Sequence, residues 1–334
     1  MSIPTVAIGA LGGTIASTSN AHDGSEIVPT LSAERLAAAV PGLEELAEVR
    51  AETLAQLPSP SLDEPTVMRA LRWAQAAVDA GAVGVVLTQG TDTLEESAYL
   101  LDLFWDRPEP LVVTGAMRSP QAAGADGPAN LLTAVRCALA PASRGRGVLV
   151  AFDDEIHQAR WVAKTDSMST SAFRSPVFGP IGRCVEAEIV YGVTAGRPAP
   201  LPPPQDEGAD PRVPLLATYL GDDGHVLDAL SPAGIQGVVI AGFGAGHVSA
   251  AMAEAVGRKS SELPVVFASR TGSGPTGRAM YGYPGSEIDL LARGAIGAGW
   301  LSPVKARLLL WALLATGPAD AARLRAEFAA RGTP

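Results

Sequence analysis

Short apolar runs alternate with amphipathic patterns along the chain, and this alternation constrains the fold more than any other feature. Residues 5–11 read as a buried strand. Asp63 then offers an N-cap ahead of Pro65, and Val67, Leu71, Ala74 and Val78 fall on one helical face. Gly81 ends that pattern. Residues 83–87 form the next β-rich run, followed by a helix with Leu94, Ala98, Leu101 and Trp105 facing inward. Residues 111–114 and 147–152 repeat the scheme, with a helix over about 129–139 between them. Strand-helix alternation of this kind predicts an α/β fold with largely parallel sheets.

Between residues 196 and 214 the pattern stops and seven prolines intervene, at 198, 200, 202, 203, 204, 211 and 214. Proline favours extended, semi-rigid chain and removes backbone donors, so this stretch reads as a linker. The reading is therefore two α/β domains, a larger one over 1–195 and a smaller one over 215–334. In the second, residues 215–219, 238–241 and 265–268 read as strands, 250–258 as a helix, and two closing helices start near Pro303 and Ala319.

Composition narrows the function. The net charge of -10, from 25 basic and 35 acidic residues, disfavours a nucleic-acid groove and leaves small polar metabolites as partners. With 47% hydrophobic and 18% charged residues the chain can bury a core and has no case for disorder. The longest apolar stretch near the C-terminus, 308–315, is far below the roughly 20 residues that span a bilayer. No charged leader segment precedes the first strand, so a cytoplasmic location is expected, with no membrane contact. Cys137 and Cys184 have no CxxC spacing and read as small core residues of a protein in a reducing compartment.

In an open parallel sheet ligands bind beyond the carboxyl ends of the strands. Those places are rich here in hydroxyls and glycines: Gly12-Gly13-Thr14 after the first strand, Gln89-Gly90-Thr91-Asp92-Thr93 after the second, Gly115-Ala116-Met117-Arg118 after the third. Glycine lets backbone N–H groups approach a ligand, and such loops could cradle an oxyanion. Each piece alone has a plainer reading. Thr93-Leu94-Glu95-Glu96 has capping-box spacing, with Thr91 and Asp92 as a polar lead-in, and Lys164 is by default a surface lysine. Together, Thr14, Thr91, Asp92 and Lys164 bring two alcohols, a carboxylate and an amine near strand ends, an inventory that suits acyl transfer by a hydroxyl nucleophile. Gly272 to Gly277 has a P-loop frame, but Arg278-Ala279 replaces the Lys-Ser/Thr that holds phosphate. His22, His157, His225 and His247 are scattered and no HExxH occurs, so no metal and no cofactor are expected.

At these motifs the sequence resembles the bacterial-type L-asparaginase and glutaminase-asparaginase family, nearly end to end. The resemblance rests on Gly12-Gly13-Thr14-Ile15-Ala16, on the run from Thr88 through Thr91-Asp92 to Ala98, on Gly115-Ala116-Met117-Arg118, on Ala125-Asp126-Gly127-Pro128-Ala129-Asn130-Leu131 and on Lys164-Thr165. It implies an amidohydrolase converting L-asparagine to L-aspartate and ammonia, with Thr14 as nucleophile and an acyl-enzyme intermediate. A glutaminase-asparaginase of broad specificity is the alternative. The amidase subunit of a tRNA-dependent amidotransferase shares these motifs, but it normally carries a further N-terminal domain, whereas the first strand here starts at Thr5.

The resemblance further implies that Thr91, Asp92 and Lys164 form a second hydroxyl, acid and amine set, with Asp92 also gripping the substrate α-amino group. Ser59, with Ser61 as the alternative, would hold the α-carboxylate. Backbone amides near Thr91 and Ala116 would form the oxyanion site, and Gly90 would contact the substrate. Glu287, in Ser286-Glu287-Ile288-Asp289, would reach the site of a neighbouring subunit in a homodimer or homotetramer. Two departures stand out. His247, in Gly244-Ala245-Gly246-His247, lies where relatives often carry an asparagine, and residues 17–29 contain no tyrosine where relatives often have one beside the nucleophile.

Lysine is a poor resting base. At a pKa of about 10.4 only about one lysine in two thousand is neutral at pH 7, and reaching pKa 7 needs roughly 4 to 5 kcal/mol. A neighbouring carboxylate opposes that shift, so Lys164 is read as an electrostatic organiser of Thr91, with transient base duty as the alternative. A reading of another class, two α/β lobes binding an amino acid without chemistry, leaves two alcohols and an amine unexplained.

Overall fold

The computed structural model describes residues 3–19, 27–194, 196–204, 210–231 and 233–334. The chain divides into two compact units, Met1–Pro200 and Leu201–Pro334. The first holds an eight-stranded, mostly parallel sheet and the second a four-stranded parallel sheet, giving two α/β units. Residues 20–26, which include His22, lie outside the described residues.

In the first unit the strands run in the order Glu188–Tyr191, Gly182–Val185, Glu155–Gln158, Val148–Phe152, Leu111–Thr114, Gly84–Thr88, Thr5–Gly12, Glu48–Leu57. The last five pair in parallel. Gly84–Thr88, Leu111–Thr114 and Val148–Phe152 are buried at every residue, because helices cover both faces of a parallel sheet. That double burial is why these strands appear as unbroken apolar runs.

The helix patterns settle where their caps place them. Asp63 accepts a hydrogen bond from Thr66 N at 2.8 Å and starts the Glu64–Asp79 helix, which ends before Gly81 with φ of 96°. The helix expected over about 129–139 starts earlier, as Gly127–Leu139. Pro128 then falls in the first turn, where its missing N–H leaves no bond unmade.

Several strands gave no readable pattern. Glu48–Leu57 is an edge strand with exposed and half-buried residues alternating, so its run carries charges rather than a stretch of β-branched residues. The antiparallel end of the sheet turns at Asp153-Asp154 and Glu186-Ala187, all with φ between 50° and 74°. Tight hairpins need this left-handed conformation, usually announced by Asn-Gly, and here acidic residues and an alanine adopt it.

In the second unit the order is Leu215–Ala217, Val238–Gly242, Val265–Ser269, Ile296–Gly297, all parallel. The first strand stops at Ala217, and beyond it Leu220 is 98% exposed, so the run expected to Tyr219 leaves the sheet early. Helices Ala250–Ser260, Pro303–Ala315 and Ala321–Arg331 complete this unit. Within the Pro-rich stretch Arg197 returns to the first unit, donating to the Asp102 carboxylate and to the carbonyls of Asp102 and Trp105.

Candidate active site

Three neighbouring parallel strands each run into a single 3₁₀ turn: Glu48–Leu57 into Ser59–Ser61, Thr5–Gly12 into Thr14–Ala16, and Gly84–Thr88 into Thr91–Thr93. Parallel strands present their carboxyl ends on one side, so Ser59, Thr14 and Thr91 arrive at a common edge of the sheet. The turns are packed backbone against backbone. A Cβ on Gly13, whose φ is 81°, would lie 2.0 Å from Gly90 N, so only glycine permits this approach.

The result is a cleft of about 350 Å³ lined by Thr14, Ser17, Ser59, Thr91, Asp92, Lys164 and Ser167 among others. Thr14 and Thr91, 77 positions apart in sequence, thus share one cavity. Lys164 lies in the short ribbon Ala163–Lys164 paired with Phe173–Arg174, and its backbone N donates to Glu95 Oε1 at 3.2 Å. From there Lys164 Nζ donates to Thr91 Oγ1 at 2.9 Å and to Asp92 Oδ1 at 2.6 Å. Lys164 is therefore a pinned side chain, 14% exposed, and the plain surface-lysine reading does not hold.

Ser59 is buried and its Oγ accepts a hydrogen bond from Asp92 N at 3.2 Å. Ser61 is exposed and outside the cleft lining, so of the two serines the structure places Ser59 in the cavity. Thr93 does not cap the following helix. Its hydroxyl donates to Ser59 O at 3.1 Å, so the capping-box spacing is used instead to tie two strand-end turns together.

The loop carrying Ala116 is held from behind. Asp126 accepts from Met117 N and Arg118 N, both at 2.9 Å, and Asn130 Nδ2 donates to Gly115 O at 3.0 Å and to Asp126 Oδ2 at 3.2 Å. Ala116 is fully buried and does not line the cleft, while Met117 does. Ser17, Met117 and Ser167 are lining residues that sequence reading passed over. Ser167 had a signal in its position three residues after Lys164; Met117 had none, since a loop methionine carries no chemistry that marks it.

In the second unit Glu287 begins a short helix and is fully buried. Its Oε1 accepts from Met280 N at 2.6 Å and Tyr281 N at 2.8 Å, and its Oε2 lies 2.9 Å from His247 Nε2. Burial would push this carboxyl up, but the Tyr281 and Met280 N–H groups and His247 outweigh it and hold it below the usual range. The departure at His247 is thus coupled to Glu287.

The cysteines are both free. Cys137 is a core residue whose thiol burial pushes up to about 11, whereas Cys184 is only half-buried, so the core reading fails for it. Among the described residues no group of three or more His, Cys, Asp or Glu is placed to hold a metal ion, and no helix is long and apolar enough to cross a membrane.

A two-unit α/β chain with hydroxyls, a carboxylate and an amine gathered at adjacent parallel strand ends defines a class of enzyme-like, small-metabolite sites. Family comparison makes the class particular. Residues 5–195 match the family described as Asparaginase, N-terminal, and residues 212–328 match the Glutaminase/Asparaginase C-terminal domain. The chain belongs to the asparaginase family. It is 37% identical over 321 residues to a probable L-asparaginase of Deinococcus radiodurans, covering 95% of this chain and 94% of that one. It is 34% identical over 312 residues to a probable periplasmic L-asparaginase of Haemophilus influenzae, covering 92% and 88%. A crystal structure described as a probable cytoplasmic L-asparaginase of Campylobacter jejuni superposes with a TM-score of 0.87 at 32% identity, covering 98% of this chain and 99% of that one.

Proposed function

We propose that this protein is an amidohydrolase converting L-asparagine to L-aspartate and ammonia through an acyl-enzyme on Thr14. The observation that carries this reading is the single cleft in which Thr14 meets the hydrogen-bonded set Thr91, Asp92 and Lys164. Thr14 Oγ attacks the side-chain amide carbon, the carbonyl electrons move to oxygen, and the backbone N–H groups near Thr91 and Ala116 receive that charge. Collapse releases ammonia and leaves an ester, which water hydrolyses to aspartate. Lys164 fixes the Thr91 hydroxyl and Asp92 together, and Asp92, with its carboxylate largely exposed to the cleft side, grips the substrate α-amino group. Ser59 takes the α-carboxylate.

In this reading residues 1–195 carry the chemistry, 196–214 join them to residues 215–334, and Glu287 completes the site of a neighbouring copy in a homodimer or homotetramer. The location we assign is the cytoplasm. Broad action on asparagine and glutamine is the second reading, favoured by His247 standing beside Glu287. Ammonia release from L-asparagine and L-glutamine, measured side by side with the wild type and Thr14→Ala, tests both. Thr14→Ala turning over at the wild-type rate would remove the acyl-enzyme route, and equal rates on the two amides would select the broader activity.

A further inference from the structure

Strands Gly84–Thr88 and Leu111–Thr114 pair in parallel, so the peptides that follow them, Gly90-Thr91 and Gly115-Ala116, emerge on neighbouring strand ends. The two segments are packed on each other. Gln89 N donates to Thr114 O at 3.0 Å, and a Cβ on Gly115 would lie 2.6 Å from Gln89 O. Thr91 and Ala116 are both buried, yet the backbone N–H of neither donates to any group among the described residues. Buried backbone donors are nearly always paired, so two unspent ones on adjacent strand ends are donors kept for an incoming acceptor.

The carbonyl oxygens of the same two peptides, by contrast, are held. Gln89 Nε2 donates to Gly90 O at 3.3 Å, and Asn130 Nδ2 donates to Gly115 O at 3.0 Å. A trans peptide is planar, with its C=O and N–H pointing in opposite directions, so fixing the oxygen fixes the direction of the hydrogen. Asn130 has other duties, donating to Asp126 Oδ2 and accepting from Asp153 N. Gln89 has none. Its side chain is 0% exposed, its Oε1 has no partner among the described residues, and its single side-chain hydrogen bond ends on Gly90 O. Burying a carboxamide is unfavourable unless its hydrogen bonds are made, and the one that Gln89 makes acts on the peptide that carries the Thr91 N–H.

We propose that Gln89 is a positioning residue for the reaction: it holds the Gly90 oxygen away from the cleft that Gly90 and Thr91 line, so that the Thr91 N–H is aimed at the substrate oxygen that gains charge. The inference rests on the acyl-enzyme reading above and names what orients one of its oxyanion donors. A donor aimed beforehand needs no reorganisation as charge develops on that oxygen, and the full charge exists only near the transition state. Loss of the aim therefore acts on kcat, while ground-state binding through Ser59 and Asp92 stays in place. Gln89 itself touches neither substrate nor reacting atoms, because it is buried and outside the cleft lining.

The test compares full-length Gln89→Met, Gln89→Glu and Thr14→Ala with the wild type by steady-state ammonia release from L-asparagine, with circular dichroism to establish folding at each pH. Gln89→Met keeps the length of the side chain without its donor. It should lose about 10- to 10²-fold in kcat, less than the roughly 10²–10³-fold of an oxyanion donor removed outright, with KM little changed. Gln89→Glu can donate to Gly90 O only while its carboxyl is protonated, so the ratio of its kcat to the wild-type kcat should rise as pH falls. A side chain that only fills space would give a flat ratio. Gln89→Met with wild-type kcat, or with its loss confined to KM, beside an inactive Thr14→Ala overturns this inference alone. A flat ratio for folded Gln89→Glu does the same, including where Gln89→Met fails to fold. An active Thr14→Ala overturns the acyl-enzyme reading and this inference with it.

Discussion

Single contacts set the strongest local expectations. Ser59 holds Asp92 through its backbone N, and Thr93 holds Ser59 in turn, so Ser59→Ala removes one partner of a nearly buried hydrogen bond. The cost to substrate binding should be about 1–3 kcal/mol, read as a raised KM, while Ser61→Ala leaves KM unchanged. Lys164→Met keeps the stem and removes the charge that fixes Thr91 and Asp92; turnover near the wild-type rate in that variant would remove both roles assigned to Lys164. Glu287 offers a pH test. Its folded pKa lies below the unfolded value, so the ionised form is favoured in the fold, and this stability is present above the unfolded pKa. It is lost as pH falls through the depressed folded value. Thermal unfolding followed downward from pH 6 should therefore show a loss of Tm that Glu287→Gln largely lacks.

Elements position these residues by how closely they meet. Gly13 is where the first strand's turn touches the Gly90 turn, and an alanine there demands both a left-handed backbone and a displaced neighbour. Gly13→Ala should cost about 1–3 kcal/mol of stability from backbone strain alone, and kcat should fall further because Thr14 moves with the turn. Asp126 acts on the facing loop, where its carboxylate holds Met117 N and Arg118 N. Asp126→Ala should lower kcat more than it raises KM if the loop shapes the oxyanion side of the proposed reaction. Steady-state kinetics on folded variant protein decides this. The strand runs at 83–87 and 111–114 were legible because burial on both faces leaves them apolar throughout. Glu48–Leu57 was not, although it carries the chain to Ser59: an edge strand solvated on one face mixes charges with its apolar residues. The hairpins at Asp153-Asp154 and Glu186-Ala187 were equally silent, because nothing in those side chains announces positive φ.

At the scale of the whole molecule, the two units divide the work in the proposed reaction. One gathers the hydroxyls at its strand ends, and the other holds Glu287 against His247. If a neighbouring copy supplies Glu287, activity depends on assembly. Specific activity should then fall on dilution in step with dissociation, followed by light scattering at the same concentrations, rather than stay constant as for a self-sufficient subunit.

The amino-acid sequence by itself determined the two-unit α/β class, four of the five parallel strands of the first unit and the candidate side chains Thr14, Thr91, Asp92 and Lys164. These follow from local burial periodicity and from residue chemistry, both of which are written in order along the chain. The tertiary structure alone decided which of those side chains meet. Only there does Ser59 rather than Ser61 enter the cleft, Thr93 bind Ser59 instead of capping a helix, and His247 join Glu287 to Tyr283. Such pairings depend on distances between segments far apart in the chain, fixed by sheet order and backbone approach, which no local pattern of residues encodes.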